Sequence, residues 1–328
     1  MMMPKRLSNL LFSCLILVSF SGCSNNNHFV HTEGIIWNTV YHITYSGPET
    51  LIDSIHPVLN SIEKSLSVFD KNSLVSKLND SNQIKVDSHF QKVYDKAKEI
   101  NQLSDGRFDP TLSPLIDAWG FGVGHKVSKD TLKIDSILEF VGINKTQRKE
   151  DIIIKEDKRT RFNFSAIAKG YGCDAVGEMF KRNGVNNYMV EIGGEISLSG
   201  HSPSSNNWKI AVDAPIENNN PGDESALILS LSDVGIATSG NYRNFRIEGN
   251  KKYAHTISPR TGKPFEGEIL SATIIAPTCM EADAIATACM ASTFSEAKDL
   301  INKCDLEGML ILSDSIWLSP DFKKYIVP

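Results

Sequence analysis

The sequence has no surplus of positive charge. Its 34 Lys and Arg residues stand against 39 Asp and Glu, for a formal charge of −5. It lacks the basic footprint of nucleic-acid recognition, so no nucleic-acid partner is expected. Outside the N-terminus it has no long apolar run, which excludes a bundle of membrane-spanning helices. It has six cysteines but no CxxC pair, so neither a zinc site nor a thioredoxin-type motif is expected. Spacing leaves open whether Cys173, Cys279, Cys289 or Cys304 form a disulfide. There is no internal repeat and no long linker, and the one low-complexity patch, residues 217–220, reads as a surface loop. With 41% hydrophobic and 22% charged residues, the chain is not disordered, collagen-like or a coiled coil.

The N-terminus reads as an address. Lys5 and Arg6 precede a short apolar stretch over residues 10–20, followed by Ser21, Gly22 and Cys23. The run is too short to span a bilayer well and has the flanks of a signal peptide. Small residues before a lone Cys suggest a bacterial lipoprotein signal over residues 1–22, with Cys23 acylated after cleavage. Residues 23–33 are then a polar tether and residues 34–328 the working domain. The expected location is a membrane surface on the periplasmic side. Ser24 after Cys23 gives no strong inner-membrane retention signal, which favours the outer membrane.

Periodicity places strands at residues 43–45, 84–86, 185–192, 209–212, 227–231, 236–238, 270–276, 309–312 and 316–318. A helical pattern opens at Thr50 and contains Pro57, so it is expected to start late or kink. A second ends near Gly106, a third runs from a cap at Ser165 to Lys181, and a fourth opens with a Thr278/Glu281 capping box. A last helix spans residues 295–303. Residues 151–155 and 161–164 read as paired strands around a charged turn, and residues 245–257 as a hairpin around Gly249-Asn250. The elements are mixed without the strict βαβ rhythm of a doubly wound sheet, so the fold class is α+β, in a single compact unit.

Four segments could carry chemistry. Residues 104–122 combine glycines and prolines with Trp119 and Phe121, which suits ligand contact and a packed loop equally. Residues 163–174 lead from a strand into a helix N-terminus with Lys169 in the first turn, a phosphate-friendly arrangement or simply a capped helix. Residues 253–264 hold His255 and Arg260, which could face an anion or serve structure. Asp283 and Thr287 share one helical face in apolar surroundings. They make a partial Mg²⁺ shell of hard oxygens, unless Asp283 only ties down a loop.

Taken in order, these segments change the reading. Residues 37–41 (Trp-Asn-Thr-Val-Tyr), 63–69 with 76–79, 106–122, 165–170, 192–195 (Ile-Gly-Gly-Glu), 237–242, 255–264 and 282–287 together resemble the ApbE family, the FAD:protein FMN transferases. The resemblance runs from about Gly34 to the C-terminus. It implies an α+β domain of mixed, T-fold-related sheets with packed helices. It also implies a secreted, often lipid-anchored enzyme that binds FAD and Mg²⁺. Such enzymes move FMN onto a Thr or Ser hydroxyl of a partner, typically a flavoprotein subunit of a membrane redox complex, and release AMP. Some relatives hydrolyse FAD to FMN and AMP instead. A non-enzymatic FAD-binding lipoprotein is a further alternative, against which the joint presence of His255, Asp283 and Thr287 argues.

By the same resemblance Asp283, Thr287 and the main-chain carbonyl of Ala166 hold Mg²⁺, and His255 is the base or polariser for the acceptor hydroxyl. Trp37, Phe69, Arg107, Phe108, Asp109, Asn163, Lys169 and Ile257 contact the cofactor in one pocket. Phe69 is expected to wall off the flavin ring from water, which favours transfer over hydrolysis. Three positions depart from the family pattern: Trp37 replaces Met, Asn163 replaces Asp, and Ser258 removes a carboxylate beside His255.

Overall fold

The computed structural model describes residues 28–122, 132–212, 227–240, 245–248, 251–254 and 256–327. Cys23, Gly124, the 217–220 patch, the Gly249-Asn250 turn and His255 lie outside the described residues. The strands, in chain order, are β1 (Phe29–Ile36), β2 (Thr39–Ser46), β3 (Gln83–Lys85), β4 (Thr146–Lys149), β5 (Ile152–Lys155), β6 (Tyr188–Ile192), β7 (Glu195–Ser199) and β8 (Trp208–Val212). They continue with β9 (Leu227–Leu231), β10 (Gly235–Gly240), β11 (Phe245–Glu248), β12 (Lys251–Ala254), β13 (Ile269–Ala276), β14 (Glu307–Leu312), β15 (Ile316–Leu318) and β16 (Ile326–Val327). The helices are α1 (Ile52–Leu66), α2 (Leu74–Asn79), α3 (Ser88–Leu103), α4 (Ser113–Ala118), α5 (Leu132–Leu138), α6 (Ala168–Arg182), α7 (Cys279–Met290) and α8 (Phe294–Lys303).

The frame is an eight-stranded sheet in the order β1-β2-β6-β7-β10-β13-β14-β15, antiparallel at every pairing. Helices α6 and α7 lie against the sheet and against each other. A small sheet, β16-β9-β8, shares an apolar cluster with Ile236 of β10 and Ile275 of β13. Neighbours on both faces explain why β13 reads as one apolar run: seven of its eight residues are buried. Helix α7 is buried around most of its circumference. Its small residues, Ala282, Ala284, Ala286 and Ala288, let it approach its neighbours closely. A Cβ on Gly235 of β10 would lie 2.1 Å from the backbone nitrogen of Cys279, so glycine is required at that crossing.

Several sequence expectations hold. Gly106 takes a left-handed φ of 79° and donates its N–H to Asn101, closing α3. The strands on either side of Gly249-Asn250 pair as a hairpin. Thr278 caps α7 by accepting the Glu281 N–H, and the full reciprocal box forms at α8 between Thr293 and Glu296. The four cysteines from Cys173 onward are free thiols.

Others fail for identifiable reasons. Helix α1 does not start late at Pro57: it begins at Ile52 and carries Pro57 inside it. β1, Phe29–Ile36, which was not expected, pairs along its full length with β2. Residues 161–164 do not pair with β5. The partners of β5 are β3 and β4, the latter hidden in the sequence by its charged residues. The polar groups of the 158–163 backbone are taken elsewhere. Asn79 bonds both the N–H and the carbonyl of Phe162, at 2.7 and 2.9 Å. Lys155, buried, donates to the carbonyls of Leu78, Lys158 and Thr160. Burial lowers its pKa to about 8, with Arg161 adding to the effect.

Candidate active site

Two cavities meet at the start of α6. The larger, about 720 Å³, is walled by the loop after α3, the turn before α6, β10, α7 and residues 256–257. The smaller, about 340 Å³, lies between the β1–β2 turn and the end of α1. Ser165 and Lys169 line both. Lobes of this size fall in the range of small-molecule sites.

Charge is concentrated on the floor of the larger lobe. Lys169 is the second residue of α6, Glu195 opens β7, and Asp283 and Thr287 stand one turn apart on α7. The Lys169 Nζ lies 2.5 Å from Glu195 Oε2. Asp283 is 3% exposed and accepts the Gly170 N–H at 3.1 Å. A Cβ on Gly170 would sit 2.4 Å from the Cys279 carbonyl oxygen and 2.9 Å from Asp283 Cβ, so only glycine lets α6 and α7 meet there. Two carboxyls and one ammonium thus share a space without solvent to screen the second negative charge. Burial pushes the Glu195 carboxyl up to about 8, Asp283 adds to the rise, and Lys169 opposes it. Burial also raises Asp283, against the pull of Lys169 and the Gly170 N–H. Desolvation works against the charge on Lys169, yet Glu195 and Asp283 outweigh it and hold the ammonium above its usual range.

Glu195 is the site residue that sequence reasoning missed. It stood inside the matched Gly-Gly-Glu segment, but nothing in its neighbours says that its side chain turns inward beside a lysine. Thr287 completes the floor, with its Oγ1 3.4 Å from Ser239 Oγ of β10.

The donor set fits a hard cation that shares its shell with phosphate. Asp283 and Thr287 present a carboxylate and a hydroxyl into the same lobe, where Ala166 also lies. Among the described residues no cluster of three or more His, Cys, Asp or Glu could hold a metal unaided. Mg²⁺ needs no such cage, because it keeps waters and recruits substrate phosphates around one or two carboxylates.

The expected cofactor contacts divide between the lobes instead of sharing one pocket. Trp37 and Phe69 line the small lobe, with Ile62, Leu66 and Val68. Arg107, Phe108, Asp109, Asn163 and Ile257 line the large one. Trp37 and Asn38 form the two-residue β1–β2 turn, with φ of 49° and 60°. The Trp37 indole packs on Gly172, where a Cβ would lie 2.6 Å from Cη2, and its buried Nε1 has no partner among the described residues. Phe69 is 69% exposed, so it does not close the small lobe against water as expected. Asp109 lines the cavity, but its carboxylate is occupied by the Thr111 N–H and hydroxyl, the Ile143 N–H and the Asn101 amide. Burial raises its pKa against those bonds. It organises the loop, and Arg107 is engaged by Glu296 of α8 at 2.5 Å.

Two of the three family departures keep their local geometry. Asn163 Oδ1 accepts the Ser165 N–H at 2.9 Å, the role a carboxylate would fill in that turn. This turn, continued by bonds from the Ile167 and Ala168 N–H groups to the Phe164 carbonyl, delays the helix to Ala168. Ser165 is therefore not the cap of α6; Ile167 holds that position without a side-chain bond. Ser258 Oγ accepts the Thr261 N–H at 3.4 Å, and its backbone bonds Lys263 and Gly262, closing the 258–263 turn. His255 directly precedes the cavity-lining Thr256 and Ile257.

A sequence profile described as the ApbE family matches residues 37–310. A Haemophilus influenzae protein named FAD:protein FMN transferase is 29% identical, over 94% of this chain and 93% of its own length. Its Vibrio cholerae namesake is 32% identical, over 86% and 87%. The solved structure titled Flavin Transferase ApbE from Vibrio cholerae superposes with a TM-score of 0.82, at 29% identity over 91% of this chain and 99% of the other. The apbe protein from Thermotoga maritima, at 24% identity and a TM-score of 0.81, shares the fold. With most of its length inside that profile and its α+β architecture matched in solved members, the chain belongs to the ApbE family.

Proposed function

We propose that this protein is an FAD:protein FMN transferase, which moves FMN from FAD to a Thr or Ser hydroxyl of a partner flavoprotein and releases AMP. The observation that carries the reading is the pairing of lobes: an apolar slot with an aromatic wall adjoins a charged floor of Lys169, Glu195, Asp283 and Thr287. FAD has the same division, a flat ring at one end and a pyrophosphate in the middle. The names carried by the relatives point the same way.

In this reading Trp37 and Phe69 bind the ring, while Lys169, at the first turn of α6, pairs with a phosphate oxygen. Asp283, Thr287 and the Ala166 carbonyl would hold Mg²⁺. Once bound, Mg²⁺ supplies charge neutralisation for the pyrophosphate. His255 takes the proton from the acceptor hydroxyl as that oxygen bonds to the FMN phosphorus and the bond to AMP breaks. Partners of this kind are flavoprotein subunits of membrane redox complexes. The N-terminal signal supports lipid anchoring through Cys23 on the periplasmic side of the outer membrane.

A second reading, hydrolysis of FAD to FMN and AMP, is favoured by one feature, the exposure of Phe69 at the mouth of the small lobe. Incubation with FAD and Mg²⁺, with and without an acceptor protein, separates the two. Transfer gives AMP together with an FMN-sized mass gain on the acceptor. AMP and free FMN regardless of acceptor would establish the hydrolase.

A further inference from the structure

Two of the elements that carry the charged floor, α6 and α7, are tied together by one residue outside it. Asp174 lies on α6, one turn beyond Gly170, half-buried where α6 meets α7. Its two carboxylate oxygens accept the first two N–H groups of α7, from Cys279 at 3.0 Å and from Met280 at 2.8 Å. The next donor, the Glu281 N–H, is taken by Thr278 Oγ1. Every helix begins with N–H groups that have no partner within it, and a carboxylate there also faces the positive end of the helix dipole. A residue adjacent in sequence normally supplies that cap. In α7 most of it comes from a different helix.

Through its two bonds and its own backbone, Asp174 therefore fixes the start of α7, which carries Asp283 and Thr287, against α6, which carries Lys169. The glycines beside it leave no slack: added Cβ atoms at Gly170 or Gly235 would strike the backbone of Cys279. Resting on the metal reading above, we infer that Asp174 is a positioning residue for the cation site: it sets the depth and rotation of α7 so that Asp283 and Thr287 stand at ligand distance from one ion. Groups that orient metal ligands without touching the metal commonly change affinity by about 10- to 100-fold when altered.

The test compares Asp174→Asn with Thr278→Ala and wild type in the full catalytic domain. Asn keeps the size of Asp174 but has one acceptor oxygen for two N–H groups. Thr278→Ala removes a bond from the same helix end without touching the link to α6. Mn²⁺ serves as a paramagnetic stand-in for Mg²⁺, titrated with FAD present and followed by the EPR signal of the free ion. Circular dichroism and thermal midpoints report folding, and flavin fluorescence reports FAD binding without metal. The expected result is Mn²⁺ affinity at least about tenfold weaker in Asp174→Asn, with metal-free FAD binding unchanged. Thr278→Ala should lower the thermal midpoint but leave Mn²⁺ affinity within about twofold. Asp174→Glu, which restores the second oxygen, should recover part of the affinity. If Asp174→Asn folds and binds Mn²⁺ as wild type does, the assignment is overturned. If wild type itself binds no Mn²⁺ with FAD, the metal reading falls, and the assignment with it.

Discussion

The floor of the large lobe and the walls of the small one are built on opposite principles. The floor is made of side chains on regular elements, α6, α7 and β7; its two carboxyls are buried, and Asp283 is held by the Gly170 N–H. The small lobe is made of a hairpin turn and the chain after α1. Its aromatic members are a Trp37 whose indole N–H has no partner among the described residues and a Phe69 standing mostly in solvent. Chemistry that depends on charge needs fixed groups in a dry setting, because electrostatic stabilisation is lost if the groups must reorganise. Holding a flat ring requires only apolar area. The expected consequence is a division of labour, in which the floor sets turnover and the small lobe sets affinity.

The largest effect should come from the floor. Asp283→Ala should lower Mg²⁺-dependent AMP release by about 10²–10³-fold or more while FAD still binds, measured as turnover against Mg²⁺ concentration. Gly170→Ala tests the rigidity of the floor. Its Cβ meets backbone, which cannot yield cheaply, so α7 must move. A stability loss of about 1–3 kcal/mol by denaturant unfolding, with a fall in turnover larger than that loss explains, is expected.

The floor should also show in the pH dependence of stability. Glu195 has an ordinary pKa of 4.5 and is raised to about 8 in the fold. Between those values the folded chain binds more protons than the unfolded one, so this residue makes stability fall as pH rises through the window. Glu195→Gln should flatten the thermal midpoint between about pH 5 and pH 8. An unchanged slope would remove the charged-floor picture. Changes in the small lobe should be milder. Trp37→Ala should weaken FAD binding about tenfold, near 1.4 kcal/mol, with little effect on turnover at saturation. Phe69→Ala should weaken it by less than about threefold, since a ring standing in solvent must first be ordered against the ligand, which offsets much of the area it buries.

Legibility in the sequence followed the same division. Six of the eight strands of the large sheet, all but β1 and β7, were readable because their apolar periods survive, as in β13. The α7 pair was readable because four residues along a helix must share a face. What escaped were relations across the fold. Glu195 becomes a site residue only when β7 lies beside α6. Residues 161–164 looked like a strand, and only the distant Asn79 and the buried Lys155 show why they are not. β4 was hidden by its charges, and β1 by its polar alternation at a sheet edge. The family resemblance supplied the order of the site segments, but not their separation into two lobes.

The central claim is that the floor performs the chemistry and the small lobe holds the ring. The most direct measurement is single-turnover AMP release, alongside FAD affinity, in Asp283→Ala and Trp37→Ala under the same Mg²⁺ and FAD titrations. The account predicts opposite phenotypes: Asp283→Ala binds FAD and does not cleave it, whereas Trp37→Ala binds weakly and cleaves near the wild-type rate once saturated. Cleavage at the wild-type rate by Asp283→Ala would contradict it.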